Sequence, residues 1–152
     1  MEKVARFEKV NEDAFVSDIT SSMFDMFDAD ALEIYDNLKK PSRDDENAVA
    51  YDFYAPLDIR LEPGQAVKIP TGFKIHLKDG YALLIFPKRR LADKYSLRLA
   101  NTLSVIDGKS HKESDGDIVV KLVNSSSENK TVDIRQGEAF VQGIIVKIGV
   151  AE

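Results

Sequence analysis

Apolar and polar positions are spaced in two different ways along this chain. In the first forty residues, alternation over residues 3–10 predicts a strand, and the apolar positions that follow recur at close to helical spacing. Asn11 is a suitable N-cap, because its short side chain can accept hydrogen bonds from the first turn, so we expect a helix over residues 12–27. A second helix is expected to be capped by Asp30 and to end before Pro41, whose ring cannot continue a helix.

From residue 48 onward the pattern changes to short apolar runs separated by turn signals such as the Glu-Pro-Gly at 62–64. Residues 41–47, PSRDDEN, are polar and charged, which is typical of a structureless linker. Many short strands are typical of a sandwich or a jelly-roll barrel. We therefore expect a mainly β protein, with an N-terminal strand and helical extension over residues 1–40 and a single globular β-domain over residues 41–152. Its strands are expected at 49–54, 57–61, 66–69, 73–77, 81–87, 96–102, 117–124, 131–134 and 139–148.

The last of these strands is apolar at nearly every position from Phe140 to Ile148. A strand that covers a single core needs apolar side chains only at alternate positions, whereas a continuous apolar run indicates burial on both faces. The pattern therefore predicts that both faces of this strand are covered.

Composition narrows the class of protein. The chain has 152 residues, enough for one domain with a full core, and no cysteine, which excludes a disulfide framework and a thiolate metal site. Its net charge of −5 argues against binding to nucleic acid. No apolar run has the length of a signal peptide or a membrane span, so we expect no membrane association and a cytoplasmic location.

Candidate chemistry gathers in residues 80–107. Two apolar strand-like runs there flank a basic turn, Pro-Lys-Arg-Arg at 87–90, and the stretch ends on Asn101 and Asp107. An amide and a carboxylate beside a group of cations can hold a polar base and a polyphosphate together. The alternative is conformational, because charged residues are common in hairpin turns and an aspartate before a glycine often forms a turn.

Four spaced motifs resemble those of the trimeric dUTPase family, and they follow one another in the family's order over most of the chain. The resemblance implies a distorted jelly-roll β-barrel with N-terminal helices, assembled as a homotrimer with strand exchange near the C-terminus. The motifs are A-x-A-Y-D-F-x-A at 48–55, P-T-G at 70–72, F-P at 86–87 followed by L-A-N-T-x-x-V-I-D at 99–107, and G-E-A-F-V-Q-G at 137–143.

The same resemblance implies hydrolysis of dUTP to dUMP and pyrophosphate. Asp107 matches the aspartate of motif 3 that activates the attacking water, and a carboxylate within hydrogen-bond reach of a water can act as general base. Asn101 matches the asparagine that reads the edge of uracil together with backbone groups of the hairpin, among them those of Ile106.

Two further positions match the family's ligand contacts. Asp52 matches the motif 1 aspartate, which lies near a magnesium ion through water rather than as a direct ligand. Gln142 matches the motif 4 glutamine that contacts phosphate. The resemblance therefore implies Mg²⁺ as the cofactor if the protein is catalytic.

Motif 2 departs from the family pattern. Lys88, Arg89 and Arg90 stand where the family has P-R-S-S or P-R-S-G, so Arg89 occupies the place of a serine that contacts phosphate. A guanidinium is far larger than a hydroxyl and would either clash with a phosphate held close or grip it from further out. All three cations are candidate ligand-binding residues for a nucleotide or another small anion.

Motifs 3 and 5 also depart from the pattern. Ser110 stands at the place of the tyrosine that packs under deoxyribose, and the neighbouring His111 is the residue that can stack in its stead. No counterpart of the glycine-rich motif 5, which closes over the phosphates, follows Val150. We expect weaker discrimination against ribonucleotides and a site without its lid.

Three functions are compatible with these residues. The sequence favours a dUTPase-like protein with a degenerate site, which binds a nucleotide or another phosphate-bearing ligand with weak or no hydrolysis. The first alternative is an active dUTP pyrophosphatase. The second is a non-catalytic regulatory trimer that contacts a protein partner through the helical region at residues 12–38.

Overall fold

Strands dominate the computed structural model, which describes residues 1–22, 24–108 and 116–152. The predicted mainly β architecture with helices near the N-terminus is confirmed. The bounds are β1 Ala5–Lys9, α1 Glu12–Thr20, α2 Asp28–Asp36, β2 Tyr51–Tyr54, β3 Ile59–Leu61, β4 Ala66–Pro70, β5 Phe73–Leu77, β6 Tyr81–Pro87, α3 Arg89–Tyr95, β7 Leu97–Leu99, β8 Ser104–Ile106, β9 Val119–Asn124, β10 Val132–Ile134 and β11 Ala139–Lys147.

The strands form small antiparallel sheets that are connected by crossovers. One sheet has four strands in the order β2-β11-β6-β8, and another has three in the order β4-β9-β7. β1 pairs with β5, and β10 pairs with β3. Most neighbours in space are far apart in the sequence, which is typical of jelly-roll barrels and not of simple meanders.

Side chains from the inner faces of the sheets form one large apolar core. Phe53 on β2 lies opposite Val141 on β11, and both are buried. Burying a side chain of this size contributes about 1.5–3 kcal/mol relative to leaving it in water. Buried pairs such as this one therefore hold neighbouring strands in register. The largest buried members of the core are Phe53, Phe140, Ile59, Ile69, Ile75, Leu83, Ile85, Leu91, Leu97 and Leu99.

The N-terminal elements have a smaller apolar cluster of their own. Asn11 caps α1 as predicted, because its side-chain oxygen accepts the N–H groups of Asp13 at 2.8 Å and Ala14 at 3.4 Å. β1 pairs along its length with β5, so the extension joins a strand of the β structure. The proposed division at residue 40 stays a prediction. The buried members of this cluster are Val10, Phe15, Ile19 and Ala31.

Both N-terminal helices differ from the predicted ones. α1 ends at Thr20 rather than near residue 27, since the hydroxyl groups of residues 20–22 donate to carbonyls of its last turns and compete with helix continuation. α2 begins at Asp28, so Asp30 lies in its first turn and is not the N-cap. Within the described residues, no helix is long and apolar enough to cross a membrane.

The basic residues after β6 do not form the expected hairpin turn. Lys88 is the N-cap of α3, whose buried face carries Leu91 and Tyr95 at the i, i+4 spacing of a helix. Ser96 ends α3 with a left-handed φ of 54°. The strand expected over residues 96–102 is present but shorter, as β7, which pairs with β9; β8, further along the chain, was not expected and pairs with β6.

Gly143 on β11 provides a test of core packing. A Cβ at this position would lie 2.8 Å from Leu83 Cδ1 and 3.3 Å from Phe53 Cε2, in a region with no spare space. We expect Gly143→Ala to lower the free energy of unfolding by roughly 1–3 kcal/mol, the usual effect of overpacking a core. Urea denaturation at equal protein concentration measures the change. Gly149→Ala is the matched control, since nothing lies within 4 Å of its added methyl group, and equal losses in the two variants would contradict the packing described here.

Candidate active site

Two of the predicted site residues lie side by side on the outer face of the four-stranded sheet. Asp52 on β2 pairs directly with Gln142 on β11, and Gln142 pairs in turn with Phe86 on β6. Directly opposite residues project to the same face of a sheet. Because the neighbouring pair Phe53 and Val141 faces the core, this row faces outward. The structure therefore brings the carboxylate of motif 1 and the amide of motif 4 together.

Lys88 joins this row from the end of β6. Its Nζ lies 2.8 Å from Asp52 Oδ1, and the two side chains are only 27% and 15% exposed. Its backbone N–H donates to the carbonyl of Phe140 at 3.1 Å, so the start of α3 is tied to β11 as well. Partial removal from water strengthens the attraction between these charges, and the pair holds both side chains in place.

The three cations of the basic segment at residues 88–90 differ in their contacts and in their exposure. Arg90 contacts Glu138, which directly precedes β11, with 3.3 Å between Nη2 and Oε2. Arg89 extends into solvent with 91% of its side chain exposed, and it is 3.6 Å from Asp93 on the next turn of α3. An exposed pair of this kind contributes little to stability and is easily exchanged for another anion. Arg89 is therefore the most accessible cation of the three.

Asn101 lies in the turn before β8, and its side-chain Nδ2 donates to Ser104 Oγ at 3.2 Å. Asp107 follows β8 directly and is exposed. Ile106, the last residue of β8, pairs with Leu83 and packs partly against the core. The structure thus places the predicted base and the predicted uracil-reading amide at opposite ends of one short strand.

Asp107 is not brought together with Lys88 in a single chain. β8 runs antiparallel to β6, with Ser104 opposite Ile85 and Ile106 opposite Leu83, so Asp107 lies toward the start of β6 while Lys88 follows its end. Six residues of strand separate these two places, which is roughly 20 Å. The polar row around Lys88 and the carboxylate of Asp107 are therefore two separate parts of the surface.

Ser110 and His111, the predicted sugar contacts, lie outside the described residues. The described residues contain no group of three or more histidine, cysteine, aspartate or glutamate side chains able to hold a metal ion. Asp52 is already engaged by Lys88. The described residues alone thus do not fit a bound magnesium ion.

The expectation of a structureless linker over residues 41–47 is wrong at Ser42. Its N–H donates to the carbonyl of Asp52 at 3.2 Å, the N–H of Asp52 donates back to the carbonyl of Ser42 at 2.7 Å, and its hydroxyl lies 2.6 Å from Tyr54 OH. Any residue type can form backbone hydrogen bonds of this kind, so the polar composition of residues 41–47 gave no indication of the pairing. Ser42 covers the free edge of β2 and fixes the backbone of Asp52 from the side opposite β11.

Tyr54 and Glu138 were also missed as parts of the site region. Glu138 lies inside the G-E-A-F-V-Q-G motif, but Arg90, which it contacts, is 48 residues away in the sequence, so no local signal pointed to the pair. Tyr54 offered no such signal either, because its contact with Ser42 spans twelve residues of sequence.

The chain matches known dUTPases in sequence. The protein-family model described as dUTPase matches residues 36–152. This chain belongs to the dUTPase family. The deoxyuridine 5'-triphosphate nucleotidohydrolase of Desulfitobacterium hafniense is 36% identical over 117 residues, which cover 75% of this chain and 74% of that protein. The enzyme of the same name from Hydrogenovibrio crunogenus is 37% identical over 92 residues, covering 60% of this chain and 56% of that protein.

Solved structures agree on the fold. The dUTPase from Streptococcus mutans superimposes with a TM-score of 0.64 at 28% identity, covering 74% of this chain and 88% of that chain. The dUTPase of Staphylococcus bacteriophage 80alpha, solved with dUpNHpp, gives a TM-score of 0.70 at 16% identity, covering 99% of this chain and 86% of that chain. The dUTPase-like jelly-roll fold is confirmed. The motif departures and the roles of single residues stay predictions.

The ion pair between Lys88 and Asp52 makes a prediction about stability. Lys88→Ala leaves a partly buried carboxylate without its partner, so we expect the free energy of unfolding to fall by about 1–3 kcal/mol. Arg89→Ala removes a neighbouring cation of similar length from an exposed position and should change stability by no more than about 0.5 kcal/mol. Chemical denaturation of the two variants and the wild type measures both effects, and a larger loss for Arg89→Ala would refute this assignment.

Proposed function

We propose that this dUTPase-family protein hydrolyses dUTP to dUMP and pyrophosphate, with Arg89 taking part in binding the phosphates. The observation that supports this best is the exposure of the Arg89 side chain. It extends outward and is 91% exposed, instead of filling the space beside Lys88 and Asp52. An accessible guanidinium binds phosphate oxygens through two parallel N–H donors. The longer side chain is thus compatible with an open phosphate site.

Asp107 is the general base in this proposal. Its carboxylate accepts a proton from a water molecule whose oxygen forms a bond to the α-phosphorus, and the bond from that phosphorus to the oxygen bridging toward the β-phosphorus breaks. Pyrophosphate leaves with the bridging oxygen. The exposed position of Asp107 after β8 gives water access to it, and general-base assistance contributes about 10²–10⁴-fold to the rate.

Binding of the substrate falls to two groups of residues. Asn101, with an amide that both donates and accepts hydrogen bonds, is assigned to the uracil edge together with the backbone of Ile106. The triphosphate is assigned to Arg89, Gln142 and Lys88. Lys88 serves in part by holding Asp52, since their 2.8 Å pair fixes the surface against which the phosphates lie.

A homotrimer would bring these two groups together. Within one chain Asp107 and Lys88 are roughly 20 Å apart along β6, so one molecule of dUTP cannot touch both through short contacts. The proposal places the uracil-reading turn and the base of one subunit against the phosphate-binding row of its neighbour.

An apolar row on the outer face supports this assembly. Ile144 on β11, Leu84 on β6 and Val105 on β8 lie directly opposite one another and are partly exposed in the single chain, with Val105 at 57%. Covering such a row removes apolar surface from water, which favours association. The row lies next to the polar one, so the same contact would bury it and complete the site.

Magnesium enters this proposal only with the substrate. The dUTPase of phage phi11 has been solved with a structural Mg(II) ion. In the described part of this chain no cluster of acidic or histidine side chains would hold the ion alone. A Mg²⁺ that arrives with the triphosphate would neutralise phosphate charge, as is usual for magnesium in nucleotide sites.

A second candidate function is nucleotide binding without hydrolysis. It is favoured by the same Arg89, because a guanidinium in the place of a small hydroxyl holds the phosphates in a different position. A displacement of about 1 Å can lower a rate by on the order of a hundredfold. Binding of dUTP with no turnover would support this candidate over the first.

Pyrophosphate release separates the candidates. With dUTP and Mg²⁺ we expect release by the wild type and a loss of about a hundredfold or more in Asp107→Asn, since the amide cannot accept the proton. UTP and dCTP are the comparison substrates. Arg89→Ala should raise KM for dUTP, whereas Arg60→Ala, which removes an exposed arginine from β3 in another sheet, should leave it unchanged. Absence of release from the wild type, with dUTP binding intact in calorimetry, would reject hydrolysis.

The oligomeric state has its own test. Light scattering should give three times the 17.0 kDa of one chain. Val105→Asp places a charge in the apolar row and should shift the protein toward monomer, while Val119→Asp places the same charge at a 42% exposed valine on β9 and should not. A wild-type mass equal to a single chain would rule out the trimer.

A further inference from the structure

A carboxyl group with one buried oxygen, that of Asp117, lies outside the proposed active site, just before β9. Asp117 Oδ1 accepts the backbone N–H of Gly72 at 2.9 Å and faces the hydroxyl of Thr71 at 3.5 Å, in the turn between β4 and β5. Asp117 Oδ2 is buried and accepts no N–H or O–H group from the described residues. One oxygen of this side chain is thus satisfied by the turn, and the other needs a different partner.

The side chain that can fill this place is that of Asp18 on α1. It lies close enough to Asp117 for a hydrogen bond between the two side chains. Two carboxylates can only accept, so such a hydrogen bond forms when one of them carries a proton. The proton then joins α1 to the turn between β4 and β5, because Asp117 is already held by Gly72.

No cation among the described residues neutralises this pair. The turn contributes Thr71 and Gly72, which do not titrate. Lys74 on β5 packs against Gly116 but extends to Glu8 on β1, with 3.9 Å between Nζ and Oε1. α1 has no basic residue in its last turn, where Asp18 lies. Two ionised carboxylates here would repel each other in a poorly solvated place.

We propose that Asp18 and Asp117 form a proton-dependent latch that fastens α1 to the turn between β4 and β5 and weakens as the solution becomes alkaline. Release of the latch frees one end of the N-terminal extension from the β structure. The device is independent of the proposed dUTP hydrolysis, since neither carboxylate belongs to the catalytic or phosphate-binding residues.

The direction of the pH dependence follows from burial. Burial raises the pKa of the Asp117 carboxyl from 3.8 to about 8, with the nearby Asp18 adding to the rise and the N–H of Gly72 opposing it. The closed latch therefore holds a proton that the open one releases. Stability from the latch is fully present below pH 3.8, decreases as the pH rises, and is lost once the pH passes about 8.

Hydrogen exchange of the full-length protein tests the latch. Exchange of the α1 amides, corrected for the intrinsic pH dependence, should speed up by about tenfold per pH unit between pH 5 and 8 and then level off, because opening releases one proton. Asp117→Asn keeps the bond from Gly72 and can donate to Asp18 without titrating. The Asp117→Asn variant should therefore show no increase of α1 amide exchange with pH beyond the intrinsic one. Asp18→Asn should reduce this increase, since an amide donates to ionised Asp117.

Asp13→Asn is the matched control, because it makes the same change in the exposed first turn of α1 and should keep the wild-type slope. Carbon-13 NMR of the carboxyl groups provides a second measurement, in which Asp117 should titrate near pH 8. A midpoint below pH 5, or a slope in Asp117→Asn equal to that of the wild type, would overturn the latch. Pyrophosphate release from the same variants shows separately whether the proposed hydrolysis stands.

Discussion

β11 is the constraint on which the rest of the structure depends. It is paired along one edge with β2 and along the other with β6, so its register sets that of the whole four-stranded sheet. Its inner side chains are buried against Phe53 and Leu83, and Gly143 leaves room for both. Moving this strand by one residue would turn every one of its side chains to the opposite face.

The chemistry of the outer face follows from that register. With β11 in place, Gln142 must lie beside Asp52, and Ile144 must lie beside Leu84. The first pair gives a polar row and the second an apolar one, on the same surface. Lys88 completes the polar row because its backbone is tied to Phe140, at the start of the same strand. The two rows lie next to each other because β11 carries a residue of each, Gln142 and Ile144.

The sequence predicted correctly those elements that are defined by residues close together in the chain. β5 and β6 have the predicted bounds, because each is a short apolar run and the Lys-Asp-Gly turn at 78–80 separates them. Asn11 was recognisable as a cap because a cap acts within three residues. α3 was missed, since Leu91 and Tyr95 are too few to show a helical period beside a run of charges. The pairing of Ser42 with Asp52 was missed because any residue type can make it.

The sequence by itself determined the family and the mainly β class, and it indicated the polar residues that are proposed to bind a nucleotide, since motif spacing and residue chemistry are local properties. Only the tertiary structure decided how those residues are divided. It joined Lys88 to Asp52, left Arg89 in solvent, separated Asp107 from Lys88 and placed Asp18 beside Asp117. The physical reason is that strands far apart in the sequence pair through their backbones. The local sequence around a side chain therefore does not show which distant side chain will lie beside it.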